Sequence, residues 1–258
     1  FAGGAGGVDS RFGKPLAMLR QKDGSEKSLI HMSYEAATQI SGVAEVYVVT
    51  DDTRIRDAAE GFGAGVIMTS PAAENGTARV AEAVDVANLD ADIIVNFQGD
   101  APLTPPWFVE ALIDAMKADA STQMATPVLK CDAQTYRMFK EDRAAGRVGG
   151  TTAVFGAKSR ALYFSKEVLP YINPDKVTPE DVLVYHHVGV YAYRPAALSA
   201  YINWPECQIE KLEGLEQLRF LYNDMPVTCV EVDARGRLFW ELNNSEDVAR
   251  IEKVLADR

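Results

Sequence analysis

Two cations bracket a glycine early in the chain, in Ser10-Arg11-Phe12-Gly13-Lys14-Pro15-Leu16. Arg11 and Lys14 on either side of a flexible Gly13 suit the gripping of a triphosphate. The GxxxxGK[ST] spacing of a P-loop is absent, and a solvated basic turn would carry the same residues. A second group, Gln98-Gly99-Asp100-Ala101-Pro102, follows the apolar run at residues 93–97. It offers an amide, a close backbone approach and a carboxylate. The carboxylate of Asp100 suits Mg²⁺, which takes one or two protein oxygens beside phosphate oxygens; an Asp closing a turn before proline is the competing reading. Asn75-Gly76-Thr77 opens a helical stretch with Arg79 on its first turn. Such a helix start can receive a nucleotide oxygen, or Asn75 can simply cap it.

A further constellation lies near the C-terminus. Over residues 209–222 the spacing predicts one amphipathic helix. Ile209, Leu212, Leu215 and Leu218 are expected toward a core, and Glu210, Glu213 and Gln217 on a second, polar face. That face is either solvated or a set of acceptors for a polyhydroxylated substrate. His186-His187 precedes Val188-Gly189-Val190-Tyr191. With three histidines in the chain, a single histidine bonding a substrate hydroxyl is a better reading than a metal cluster. Asp90-Ala91-Asp92 has the DxD form of metal-dependent glycosyltransferases, but it precedes its strand and so reads as a solvated turn.

The elements that must hold these residues alternate. Strands are expected at residues 43–49, 65–69, 93–97 and 124–129, with helices at 53–61, 77–88 and from Pro105-Pro106 to about 117. The run at 93–97 is apolar throughout, as in a strand buried on both faces. This β-α-β-α rhythm predicts a parallel sheet covered by helices, in which ligands gather at the carboxyl ends of the strands. Beyond residue 130 a helix and a Gly/Arg-rich loop precede a hairpin at 151–155 and 161–165. A loop at 170–182, strands at 188–193 and 227–232 and a terminal helix at 245–255 follow. With no repeat or flexible linker, the expectation is a single domain over residues 1–258 with an inserted subregion at about 130–205.

Composition narrows the function. Of 258 residues 47% are apolar and 24% charged, as in an ordinary globular protein. The net charge of −11 is the wrong sign for general binding of nucleic acid or an anionic membrane, so any bound phosphate depends on a few local cations, backbone amides or a metal. Cys131, Cys207 and Cys229 are scattered and odd in number, as reduced thiols are rather than a disulfide framework. Residues 1–10 lack the regions of a signal peptide, and no apolar run nears the ~18 residues of a membrane span. A soluble, cytoplasmic protein is expected.

Taken in order, SRFGKPL, VTDD, NGTAR, VNFQGDAP, ALYFSK, HVGVYAYR and IEKLEGLEQLRFL resemble the bacterial CMP-Kdo synthetases, the 3-deoxy-manno-octulosonate cytidylyltransferases, from about Arg11 onward. The resemblance implies a three-layer α/β nucleotidyltransferase with a mostly parallel, Rossmann-like central sheet and a small β-containing insertion for sugar binding and dimerisation. It implies the Mg²⁺-dependent reaction CTP + Kdo → CMP-Kdo + pyrophosphate, in lipopolysaccharide biosynthesis, by a homodimer. Carried over by motif, Arg11 and Lys14 would stabilise phosphates, and Gly76, Thr77 and Arg79 would lie by the cytidine. Asp100 would hold Mg²⁺ and Gln98 would touch the sugar. His187, Tyr191, Glu213, Glu216 and Gln217 would cradle Kdo.

The chain also departs from the family pattern. Phe12 replaces the proline of RxPGKPL, Thr152 a lysine, and Lys166 the arginine of YFSR. The buried first strand expected before the phosphate loop has no counterpart in the Gly-rich residues 1–9. Asn243 stands where the family has a second metal-binding aspartate; its carbonyl still suits Mg²⁺, with weaker binding expected. An 8-amino analogue of Kdo, a sialic- or pseudaminic-type acid sugar, and a non-catalytic nucleotide-binding role are the alternatives these departures leave open.

Overall fold

The computed structural model describes residues 14–99, 102–148, 150–173, 183–237 and 246–257. Contacts divide the chain into two compact units, residues 1–110 with 234–258, and residues 111–233.

In the first unit a single 3₁₀ turn, Lys14–Leu16, leads into an antiparallel hairpin, β1 (Met18–Arg20) with β2 (Glu26–Ser28). Asp23-Gly24 makes its turn. Gly24 sits at φ +83°, where a side chain is strained, and Asp23 accepts from the Ser25 amide at 2.9 Å. Ser28 then caps α1 (Leu29–Thr38). The three-residue strands β1 and β2 are too short to carry a periodicity in the sequence. β3 (Tyr47–Thr50) and β4 (Gly65–Met68) pair in parallel around α2 (Thr53–Gly61). The strand expected from residue 43 starts at Tyr47, since Ala44 and Glu45 are solvent-exposed. α3 (Gly76–Val86) packs Ala83 onto Val49 and Ile67, and β5 (Ile94–Phe97) ends in the buried Phe97. Ile94 and Val95 are only half-buried, so full burial of this strand holds just at its carboxyl end. α4 (Pro106–Ala118) begins at the Pro-Pro pair.

The second unit is built on β6 (Met124–Lys130). After α5 (Ala133–Ala144), β7 (Thr151–Phe155) and β8 (Ala161–Ser165) form the expected hairpin. β9 (Tyr185–His187) and β10 (Val190–Tyr193) lie antiparallel along one edge of β6. The single strand expected at 188–193 is thus interrupted. Pro127 on β6 has no amide hydrogen to continue the ladder; its carbonyl takes the Val188 amide at 3.1 Å, and Val190 N closes a tight turn on Val188 O at 2.7 Å. β9 also pairs with β7.

α6 (Pro195–Asn203), α7 (Gln208–Glu213) and α8 (Leu218–Tyr222) follow, and β11 (Val227–Val232) pairs in parallel with the other edge of β6. Tyr193, Tyr201 and Phe220, all fully buried, stack in the core. α9 (Glu246–Asp257) returns to the first unit, burying Ile251 and Leu255.

The continuous helix expected over residues 209–222 is corrected. Gly214 adopts the left-handed conformation (φ 60°, ψ 43°) and ends α7, as glycine does at a helix C-terminus. The faces also differ from those expected. Leu212 is 77% exposed, not core-facing, whereas Glu210 and Gln217, expected on the polar face, are 4% and 1% exposed. No helix among the described residues is long and apolar enough to cross a membrane.

Candidate active site

In the first unit Arg79 lies where the parallel strands β3 and β4 end. β3 runs into Thr50-Asp51-Asp52, and β4 into Thr69. Arg79, 4% exposed, joins the two ends: its Nη1 lies 3.1 Å from Asp51 Oδ1 and donates to Thr69 Oγ1 at 2.8 Å. Its Nε is buried with no hydrogen-bond partner among the described residues. Gly76 and the fully buried Thr77 form the first turn of α3. Asn75 caps that turn, its Oδ1 accepting the Ala78 amide at 2.9 Å. Asp52 serves α2 in the same way, and the Arg54 guanidinium beside it holds its carboxyl below the usual carboxylate range.

Gln98, half-buried, follows β5 directly. The neighbouring Gly99 carbonyl accepts from Ser33 Oγ at 3.3 Å, which ties this strand end to α1. Asn96 holds both amide atoms buried and unpartnered among the described residues. Lys14 stands in the 3₁₀ turn ahead of the hairpin. Arg11, Asp100 and Asn243 lie outside the described residues. Among the described residues no three His, Cys, Asp or Glu side chains gather as a metal site.

In the second unit five predicted residues belong to one stretch of fold. Tyr191 on β10 donates its hydroxyl to Gln217 Oε1 at 3.1 Å. Gln217 Nε2 is buried with no partner among the described residues. Glu213, the last residue of α7, is held by Ser165 Oγ at 2.7 Å and by the Lys166 amide at 3.0 Å. Burial, with Glu213 beside it, pushes the Tyr163 phenol up. Glu216 is half-buried in the turn between α7 and α8. His187 on β9 contacts Thr126 Oγ1 through Nε2 at 3.0 Å and packs on the edge of Phe164 and on Tyr191. Burial lowers its pKa to about 3, and that of His186 to about 4, so both rings are neutral at ordinary pH. A neutral imidazole, an amide and carboxylates make a surface of acceptors and donors suited to hydroxyl groups.

Three residues support this arrangement in ways their sequence positions do not show. Glu210 and Arg219 form a buried bidentate ion pair, both contacts at 2.7 Å. It bridges the Gly214 turn and so ties α7 to α8. Thr126 stands in the apolar run Met124-Ala125-Thr126-Pro127-Val128. A buried hydroxyl in such a run requires a partner, which is the one signal that could have drawn attention to it.

The cytidylyltransferase family profile matches residues 12–227. A 3-deoxy-manno-octulosonate cytidylyltransferase of Maricaulis maris is 40% identical over 245 residues, covering 95% of this chain and 91% of that one. One from Chlamydia pneumoniae is 36% identical, covering 94% and 87%. The solved structure of a CMP:2-keto-3-deoxy-manno-octonic acid synthetase complexed with CTP superposes with a TM-score of 0.80 at 31% identity, covering 99% of this chain and 97% of that one. A 4-diphosphocytidyl-2C-methyl-D-erythritol synthase of Anaerococcus prevotii, 13% identical with a TM-score of 0.58, shares the fold.

Proposed function

We propose the function of this chain from one premise: it belongs to the 3-deoxy-manno-octulosonate cytidylyltransferase family. It transfers CMP from CTP to the anomeric hydroxyl of Kdo and releases pyrophosphate, a step of lipopolysaccharide biosynthesis. The anomeric oxygen attacks the α-phosphorus in line and pyrophosphate leaves. Such a displacement asks the protein for positioning and charge neutralisation rather than a covalent nucleophile.

On the nucleotide side, Gly76, Thr77 and Arg79 border the cytidine, and Arg11 and Lys14 meet the phosphates. In a chain of net charge −11 these local cations carry the attraction. Asp100 and Asn243 would hold Mg²⁺, and their carboxylate and amide oxygens are the hard donors it prefers. Bound there, the ion would neutralise phosphate charge.

On the sugar side, His187, Tyr191, Glu213, Glu216 and Gln217 of the second unit receive the polyol. The observation that carries this part is the buried Gln217 amide: its oxygen is taken by Tyr191, while its nitrogen has no partner among the described residues. Such a donor costs about 1–3 kcal/mol until a ligand oxygen meets it.

The protein acts in the cytoplasm as a homodimer. The exposed Leu162 and Leu183 of the second unit, 65% and 60% accessible, support an apolar contact there, which light scattering would check.

The decisive assay is pyrophosphate release against a panel of Kdo, 8-amino-Kdo and sialic-type acids. Release is expected only with CTP, Mg²⁺ and a 3-deoxy-octulosonic acid together, and Asp100→Ala is expected to lose at least 10²-fold, the scale of removing one electrostatic group from such a site. CTP binding without turnover on any sugar of the panel would refute the reading.

A further inference from the structure

Thr126 is fully buried on β6, and its single hydroxyl meets three groups: Val190 O at 2.8 Å, Val188 O at 3.3 Å and His187 Nε2 at 3.0 Å. Two of these are carbonyls, which only accept. The hydroxyl has one proton, and the geometry commits it to a carbonyl, Val190 O being nearer. The contact with His187 must then run the other way, with Nε2–H donating to Thr126 Oγ1. In a neutral imidazole the second nitrogen is then deprotonated. His187 Nδ1 is left with a lone pair and can only accept.

We infer that Thr126 is a positioning residue that locks His187 in the Nε2–H tautomer, so that His187 offers the sugar acid an acceptor and never a donor. The inference rests on the reading of His187 as a sugar-binding residue. It adds what that site selects. A group facing Nδ1 must bring a hydrogen, as a hydroxyl or a protonated amine does; a carboxylate or ether oxygen would meet a lone pair and be rejected. The break between β9 and β10 serves this arrangement. It brings the Val190 carbonyl to 2.8 Å from the Thr126 hydroxyl, while the Val188 carbonyl, 3.3 Å away, also accepts the Val190 amide. The ring itself cannot swing away, since it packs between Phe164 and Tyr191 at centroid distances of 4.9 and 5.5 Å.

Two measurements test this. The chain has three histidines, so the imidazole nitrogens of the ¹⁵N-histidine-labelled protein can be resolved by long-range ¹H–¹⁵N correlation and assigned with a His187→Gln variant. His187 is expected to show a protonated Nε2 and an unprotonated Nδ1, and in Thr126→Val the two nitrogens are expected to move toward averaged positions. In steady-state kinetics Thr126→Val is expected to raise KM for Kdo about tenfold, the equivalent of one lost hydrogen bond. The values of kcat and KM for CTP stay within about twofold on the same scale, and Thr126→Ser restores the wild-type value. A protonated Nδ1 in the wild-type protein overturns the inference even if Thr126→Val fails to fold. So does an unchanged KM for Kdo in Thr126→Val when His187→Ala raises it. If His187→Ala itself leaves that KM unchanged, the sugar-site reading falls and takes the inference with it.

Discussion

Replacing either member of the buried Glu210–Arg219 pair should destabilise the protein, and the two replacements should differ in a way that pH exposes. The pair is sealed, with side-chain exposures of 5% and 3%, and it is fully bonded. Glu210 takes both arms of the guanidinium at 2.7 Å, the Tyr201 hydroxyl at 3.1 Å and the Cys207 amide at 3.4 Å. Arg219 also reaches the Trp204 carbonyl and lies 4.2 Å over the Tyr201 ring. Removing one partner of such a pair strands a buried charge, at about 3–5 kcal/mol.

In Glu210→Gln the stranded guanidinium cannot lose its proton, so the penalty is expected to hold from pH 7.5 to 5. In Arg219→Met the stranded carboxyl escapes by taking up a proton. Near pH 7, roughly three units above where a free glutamate titrates, that uptake costs about 4 kcal/mol, and it falls by about 1.4 kcal/mol per unit of acidification. The Arg219→Met penalty should therefore approach 1–2 kcal/mol near pH 5. Urea unfolding followed by circular dichroism at both pH values reads the difference, and the double variant Glu210→Met/Arg219→Met should stay within about 2 kcal/mol of wild type. A penalty below about 1 kcal/mol for either single variant would show that the pair is not what joins α7 to α8. So would equal responses of the two to acid.

Three further outcomes follow from the geometry. His186 and His187 titrate near 4 and 3 in the fold but near 6.5 when unfolded, so the unfolded chain binds more protons between those values and stability falls as pH drops below 6.5. Between pH 7 and 5 the loss is about 2 kcal/mol per ring; His187→Gln should remove about half of it in urea titrations, and an unchanged pH slope would contradict the burial. Gly214→Ala places a Cβ at φ +60° and 2.8 Å from Lys166 Nζ. It should lower stability by about 1 kcal/mol, whereas a variant with wild-type melting behaviour would argue against the left-handed turn. Burial pushes the Cys131 and Cys229 thiols up to about 12. Neither should react with a disulfide reagent at pH 8 until denaturant is added, and rapid labelling of the native protein would count against this packing.

How much of the site could be read from sequence depended on whether a residue's neighbours were local. The strand ends bearing Asp51, Thr69 and Gln98 were legible, because β-branched runs and helix caps are properties of a few consecutive residues. Arg79 was legible as a residue near a helix start but not in its function, since its two partners belong to strands that come together only when β3 pairs with β4. The region around Gly214 failed for a different reason. Hydrophobic periodicity assigns faces on the assumption of one continuous helix whose polar residues turn outward. It places Leu212 inside and Glu210 outside, when the reverse holds, because the buried Arg219 guanidinium draws Glu210 inward; only residues beyond the left-handed Gly214, such as Gln217, are re-aimed by the break itself. The sequence did contain the information: Glu210 and Arg219 are nine positions apart, where an unbroken helix brings no contact, since partners lie three or four residues apart. Thr126 was illegible alone because its function exists only where Pro127 interrupts the ladder and His187 arrives on the facing strand. What single positions cannot reveal is thus the set of buried polar residues, each defined by a partner that folding brings to it, and in this enzyme those residues join α7 to α8 and hold His187 in place.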